Sequence, residues 1–233
     1  MRQSTIDGYL DGLAVALRGP DRLRTDLLAE ARDSLVDAVE AHRARGLPAG
    51  DAERRAVAEF GTYRDVVPGY QAELAVAQGR FTAWLLVLAL PALYLVAPLM
   101  WWKGPWMGTA APGDGYLQLA AHFDHLLFGA VGLAGLALLG FRWGGRFIRD
   151  GRRFSRLVGI GVLVFLGVHG TTGAVVVGVS VYRWPEAATW PPMVLGSLVM
   201  VAGFSYAALS AWRCVTAARL PLLSEPRPAR PVA

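Results

Sequence analysis

Four long runs almost free of charge constrain this chain more than any other feature. Residues 81–102, 157–182 and 192–212 contain no Asp, Glu, Lys or Arg, and residues 117–141 contain only Asp124. At 1.5 Å per residue, the 22 residues of the first run span about 33 Å, close to one hydrocarbon core. Hydrocarbon offers a peptide N–H no partner, so a single chain crosses it as helices that close their own hydrogen bonds. The expected fold is all-α: a small N-terminal cytosolic helical bundle over residues 1–78, then a four-helix transmembrane bundle over 79–216 and a Pro/Arg-rich cytoplasmic tail over 217–233. The first apolar run begins too late for a secretory signal peptide.

Charge divides along the same boundary. Residues 1–80 carry 11 Arg and 13 Asp or Glu, whereas residues 81–233 carry 12 basic and 5 acidic side chains. A sequence pI of 9.8 would ordinarily point to nucleic acid, but the excess sits beside the apolar runs. The stretch 142–156 holds Arg142, Arg146, Arg149, Arg152, Arg153 and Arg156 against Asp150, and the tail adds Arg213, Arg219, Arg227 and Arg230 against Glu225. The other two loops carry only Lys103 with Asp114, and Arg183 with Glu186. By the positive-inside rule, the arginine loop and both termini are expected in the cytoplasm of a cell membrane crossed four times. Trp101, Trp102 and Trp106, with Tyr182, Trp184 and Trp190, stand where outer interfacial anchors belong. The basic charge is read as an orientation signal in contact with membrane lipid, and no direct nucleic-acid partner is expected.

The first 80 residues have helical periodicity. Ile6, Tyr9, Leu10, Leu13 and Leu17 form one stripe, stopped by Gly19-Pro20. Leu23, Leu27, Ala31, Leu35 and Val39 form a second on a helix from about 21 to 45, ended by Gly46. Asp51 is expected to N-cap a third helix bearing Ala56, Val57 and Phe60, with Gly61 as its C-cap. Thr62 is expected to cap a fourth through Val66, Val67, Tyr70 and Leu74, with Pro68 tolerated only in its first turn.

The run LRTDLLAEARDSLVDAVEAHRARGLPAGDAERRAVAEFGTYRDVVPGYQAEL resembles the HAAS domain, the HTH-associated α-helical signalling domain also called the permease prefix domain. The features that carry the resemblance are Glu30, Leu35, Glu40 and His42 on an acidic amphipathic helix, and the turn Gly46 to Asp51. They continue with Ala52, Glu53, Ala56 and Ala58 on a short helix, and with Phe60-Gly61 before a last helix leading to the membrane. Thr62-Tyr63 departs from the Asp-Pro more usual in that family. The resemblance covers about 80 residues. It implies a membrane-anchored partner of a cytoplasmic winged-helix regulator of the PadR type, a function that composition and periodicity do not reach.

Two groups of residues are candidate sites. Asp26, Glu30, Asp33, Asp37 and Glu40 recur at three- and four-residue steps and form an acidic edge, either a docking surface for a basic regulator or a solvated face. In the second apolar run, Ala121-His122-Phe123-Asp124-His125 places three polar groups within one turn. His169, mid-way along the third run beside Thr171 and Thr172, is the intramembrane residue with which Asp124 would pair. A hydrogen-bonded pair between helices, an interfacial cluster, and a proton- or divalent-metal-sensing site are all compatible with this pattern. No metal site is assigned.

Small residues mark helix contacts. Gly170, Ala174 and Gly178, then Gly203, Ala207 and Ala211, recur every four residues or so, and Gly129, Gly132, Gly135 and Gly140 crowd the second run. These stripes either join the helices of one chain or pair two copies in a homo-oligomer. Pro91 and Pro98 imply a kink. Cys214 excludes an intrachain disulfide and is read as an apolar thiol rather than an acylation site. With no phosphate loop, no nucleophile elbow and no cofactor motif, an enzyme is not expected. The functions that remain are a membrane signalling protein and, as the alternative, a small transporter or ABC permease accessory with a docking domain. The 22 Arg to 1 Lys ratio fits a GC-rich bacterial genome.

Overall fold

The structure, a computed structural model, describes residues 4–106, 113–147 and 150–219. Every regular element among them is helical: α1 Thr5–Ala16, α2 Asp21–Ala44, α3 Ala49–Phe60, α4 Tyr63–Trp101, α5 Asp114–Phe147, α6 Gly151–Arg183, a short 3₁₀ turn Pro185–Ala188, and α7 Pro191–Ala217. Four of these, α4 to α7, are long and apolar enough to cross a membrane. Arg149, Glu225, Arg227 and Arg230, which entered the charge argument, lie outside the described residues, as does the side chain of Arg146. The chain divides into two compact units. The first takes the described residues up to Ala77 with Ala217–Arg219, and the second runs Gln78–Thr216.

In the first unit, α1, α2, α3 and the opening turns of α4 enclose Leu10, Leu13, Leu27, Ala31, Leu35, Ala56, Val67 and Leu74. Ser4 caps α1 by accepting from the Asp7 N–H at 3.1 Å. Helix α3 starts three residues earlier than an Asp51 cap would require. The carbonyl of Pro48 accepts from the N–H groups of Asp51 and Ala52, so the ladder opens at the proline and Asp51 falls in the first turn, paired with Arg54. Gly61 ends α3 at φ 113°, a conformation costly for any residue with a Cβ.

Thr62 and Asp65 then start α4. Both the backbone N–H and the hydroxyl of Thr62 donate to the Asp65 carboxylate, at 3.0 and 2.6 Å, in the manner of a capping box. The expected fourth short helix is the first part of α4, which continues without a break to Trp101. Between Leu74 and Phe81 only Gly79 weakens the helix, and one glycine does not end it. Pro68 lies in the second turn rather than the first; the helix accepts the loss of one N–H there. It also continues through Pro91 and Pro98.

Polar groups tie these helices together. The Tyr9 hydroxyl donates to the Gly61 carbonyl and the Tyr63 hydroxyl to the Tyr9 carbonyl, both at 3.0 Å, with the two rings stacked at 4.9 Å. Buried Gln71 accepts from the Arg18 N–H and donates to the carbonyls of Arg18 and Ala217. His42, which belongs to no apolar stripe, is buried and meets Glu59 at 3.0 Å.

The second unit packs α4 to α7 alternately up and down. Tyr116 meets Ser180 at one end of the α5–α6 pair, and Phe141 meets Phe154 at the other. Helix α7 lies antiparallel to α4, with Ser210 against Thr82 and Gly196 against Met100. Leu86, Leu90, Leu127, Val162, Ala207 and Ala211 form the centre.

Two outcomes follow for the first unit. Leu35 is fully buried, so Leu35→Ala is expected to destabilise the unit by about 2–5 kcal/mol, read as a lowered urea midpoint for α1–α3 amides by hydrogen exchange. Hydrogen bonds from Arg55 and then His42 hold the Glu59 carboxyl below its ordinary range, and the Ser4 hydroxyl and Arg32 do the same for Asp7. A carboxyl more acidic folded than unfolded adds stability above its unfolded pKa and surrenders it as pH falls through the folded value. The unit is therefore expected to loosen as pH drops below the ordinary carboxyl values of 4.5 and 3.8. Glu59→Gln should reduce that acid-induced loosening, followed as the ratio of variant to wild-type exchange over residues 21–60.

Candidate functional site

Helix α2 presents two opposed faces. Leu27, Ala31, Leu35 and His42 are buried, while Asp26, Glu30, Asp33, Asp37 and Glu40 all project outward and are exposed. At 1.5 Å per residue the five carboxylates extend over about 21 Å. None is in an ion pair among the described residues. Four nearby arginines are held by other acids: Arg24 by Asp21, Arg32 by Asp7, Arg54 by Asp51 and Arg55 by Glu59. Arg22 and Arg43, on the same helix near the two ends of the row, temper its charge, so the edge is net negative along its middle.

The polar group of α5 is pulled apart by helix geometry. His122 and His125 lie on one face, where both line a groove between α5 and α6. Successive residues are rotated by about 100°, so Phe123 points instead into the helix core and Asp124 away from the groove face. His169 stacks against Phe123 at 3.8 Å, with Phe165 at 5.1 Å and Phe204 at 5.4 Å. The expected pairing of Asp124 with His169 is therefore not formed: an apolar ring occupies that place. His169 is 1% exposed, and neither of its ring nitrogens has a hydrogen-bond partner. Among the described residues, no three of His, Cys, Asp and Glu come close enough to hold a metal ion.

Sequence reasoning passed over a second polar group. Gln78, Thr82 and Ser210 are buried where α4 meets α7, with Thr82 Oγ1 and Ser210 Oγ 2.9 Å apart. Next to them the Cys214 thiol, fully buried, donates to the Ser155 carbonyl, which removes it from any acylating reagent. The signal was available: Gln78 and Thr82 stand four residues apart at the edge of an apolar run, a spacing that puts both on one helix face. These bonds join helices and leave no polar atom pointing into a cavity. At the other end of the unit Trp101, Trp106, Trp184 and Trp190 pack edge to face, at centroid distances from 5.1 to 6.4 Å. Trp102 and Tyr182 remain exposed.

The glycines sort into two classes. A Cβ on Gly159 would meet Val215 at 2.8 Å and the Ala211 carbonyl at 3.0 Å, and one on Gly173 or Gly203 would meet Phe123 or Leu93 at 3.1 Å. These glycines allow close packing within the chain. Gly129, Gly132, Gly135, Gly161, Gly170 and Gly178 face open space. The α7 stripe is thus used internally, and the glycines of the α6 stripe are not.

No family model, curated protein or solved structure matches the chain. Its chemistry is read from its own residues.

His169→Leu keeps the volume and removes two unsatisfied buried nitrogens, so thermal stability in detergent is expected to equal or exceed that of the wild type. A marked loss of stability would mean that the imidazole contributes more than its ring stacking.

Proposed function

We propose that the chain is a non-enzymatic signalling protein of the cytoplasmic membrane. In this reading its four apolar helices anchor the first unit in the cytoplasm, where that unit binds and modulates a winged-helix transcriptional regulator of the PadR type. The observation that carries the proposal is the acidic edge of α2, five exposed carboxylates with no ion pair among the described residues. A DNA-binding regulator has a basic surface, and an acidic row complements it and competes with DNA for it. The HAAS resemblance over the same residues points to the same class of partner.

The charge at the ends of the second unit supports the orientation. Arg142, Arg152, Arg153 and Arg156 gather at the end where α5 gives way to α6, and the one acidic residue between them, Asp150, is engaged in capping α6. Trp101, Trp106, Trp184 and Trp190 pack together at the opposite end. By the positive-inside rule the arginine end is cytoplasmic, and Gly79 of α4 lies at that end, close to Phe141 and Ser155.

The acidic edge is tested by reversing Glu30, Asp33 and Asp37 to Lys together. All three are exposed, so folding should be retained. Where a winged-helix regulator is encoded beside this chain, its co-purification is expected to fall at least about tenfold at low salt. Undiminished co-purification would remove the acidic edge from the interface. An ABC ATPase encoded there instead would favour a permease accessory.

A further inference from the structure

The groove between α5 and α6 has a shape and chemistry that the regulator reading does not use. It encloses about 690 Å³, within the range of small-molecule sites. On α5 its lining runs from His122 to Ala137, sixteen residues that rise about 22 Å. Buried Ala83 and Leu86 of α4 contribute to its lining. Gly129 and Gly161 border it, and a Cβ at either would meet nothing within 4 Å. Glycine therefore keeps the groove open without serving any contact inside the chain. The space is long, narrow and almost wholly aliphatic.

Among the described residues its only polar lining side chains are the imidazoles of His122 and His125, which stand together at one end. His122 Nδ1 lies 2.7 Å from the Gln118 carbonyl oxygen. A carbonyl only accepts, so the proton of the neutral ring is on Nδ1 and Nε2 carries a lone pair. In hydrocarbon, with little water to satisfy it, that acceptor favours a ligand that brings an O–H.

We propose that this groove binds one long-chain amphiphile, its chain lying along Gly129 and Gly161 and its O–H head, an alcohol or a protonated carboxylic acid, donating to His122. The proposal rests on the four apolar helices and is independent of regulator binding, so either can fail alone.

The test uses the full chain in detergent micelles with hexadecanol, palmitic acid and hexadecyl methyl ether as probes, with bound ligand counted by native mass spectrometry. Hexadecanol is expected to saturate at one molecule per chain, and the ether, which cannot donate, to bind about three- to tenfold more weakly, the worth of one hydrogen bond. His122→Phe should abolish the preference for alcohol over ether while leaving ether binding intact. Gly161→Leu should abolish binding of both, and Ala137→Leu, which fills the other end, provides the same check should Gly161→Leu fail to fold. Palmitic acid separates the two heads: a carboxylic-acid site binds it at acidic pH at least as tightly as hexadecanol and loses it on deprotonation, and an alcohol site prefers hexadecanol throughout. Equal binding of alcohol and ether, unsaturable binding, or binding that survives both groove-filling variants would overturn the proposal and leave the groove as a surface for bulk lipid.

Discussion

A peptide N–H in hydrocarbon has no partner except another part of the protein, and the whole second unit follows from that requirement. It makes every apolar run a helix, and it governs the polar side chains those helices carry. Thr171, Thr172 and Ser180 donate to carbonyls three or four residues behind them, and Thr82 does so as well. Each hydroxyl is satisfied within its own helix before it contributes to a contact. His169 cannot reach back in this way, and it is held among phenylalanine rings instead. The interior is thus built from self-sufficient helices whose contacts are mainly shape.

Shape in turn depends on which glycines face inward. Gly159, Gly173 and Gly203 bring helices together at distances a larger residue would prevent, whereas Gly129 and Gly161 leave room that the chain does not fill. The same residue type closes one surface and opens another. In the first unit a small apolar core is supplemented by polar bonds. The Tyr9 hydroxyl reaches the Gly61 carbonyl, the Tyr63 hydroxyl the Tyr9 carbonyl, and Gln71 the backbone of Arg18, each joining residues more than fifty positions apart in sequence.

Charge divides the molecule's work. In the first unit Arg24, Arg32, Arg54 and Arg55 are engaged by acids outside the α2 row, and the middle of the outer face of α2 remains negative. In the second unit the arginines outnumber the acids at one helix end, and Asp150 is engaged in capping α6. The outer face of α2 is thus rich in acid and the α5–α6 end rich in arginine. The two imidazoles of the groove belong to neither, and they lie where an uncharged donor is the better match.

Much of this was legible along the chain. The near-absence of charge over twenty or more residues, Asp124 alone excepted, identifies α5, α6, α7 and the later part of α4, because the cost of burying a charge acts residue by residue. Apolar periodicity likewise locates α1, α2 and α3 and puts Leu13, Leu27 and Leu35 in a core. The acidic edge is legible for the same reason, since the face opposite a buried stripe is set by helical geometry alone. The errors lie where a neighbour decides. Pro48 moves the start of α3 ahead of Asp51, and α4 continues past Leu74 because nothing there stops it. His122, Asp124 and His125 look like one cluster in sequence, yet the rotation of α5 puts two in the groove, turns Asp124 away and gives His169 to Phe123. Which glycines close on a partner and which hold a groove open is equally invisible in the chain. Sequence determined the number and kind of helices because hydration and backbone hydrogen bonding are local costs; the rotation of each helix, and therefore every site between helices, was decided only by packing.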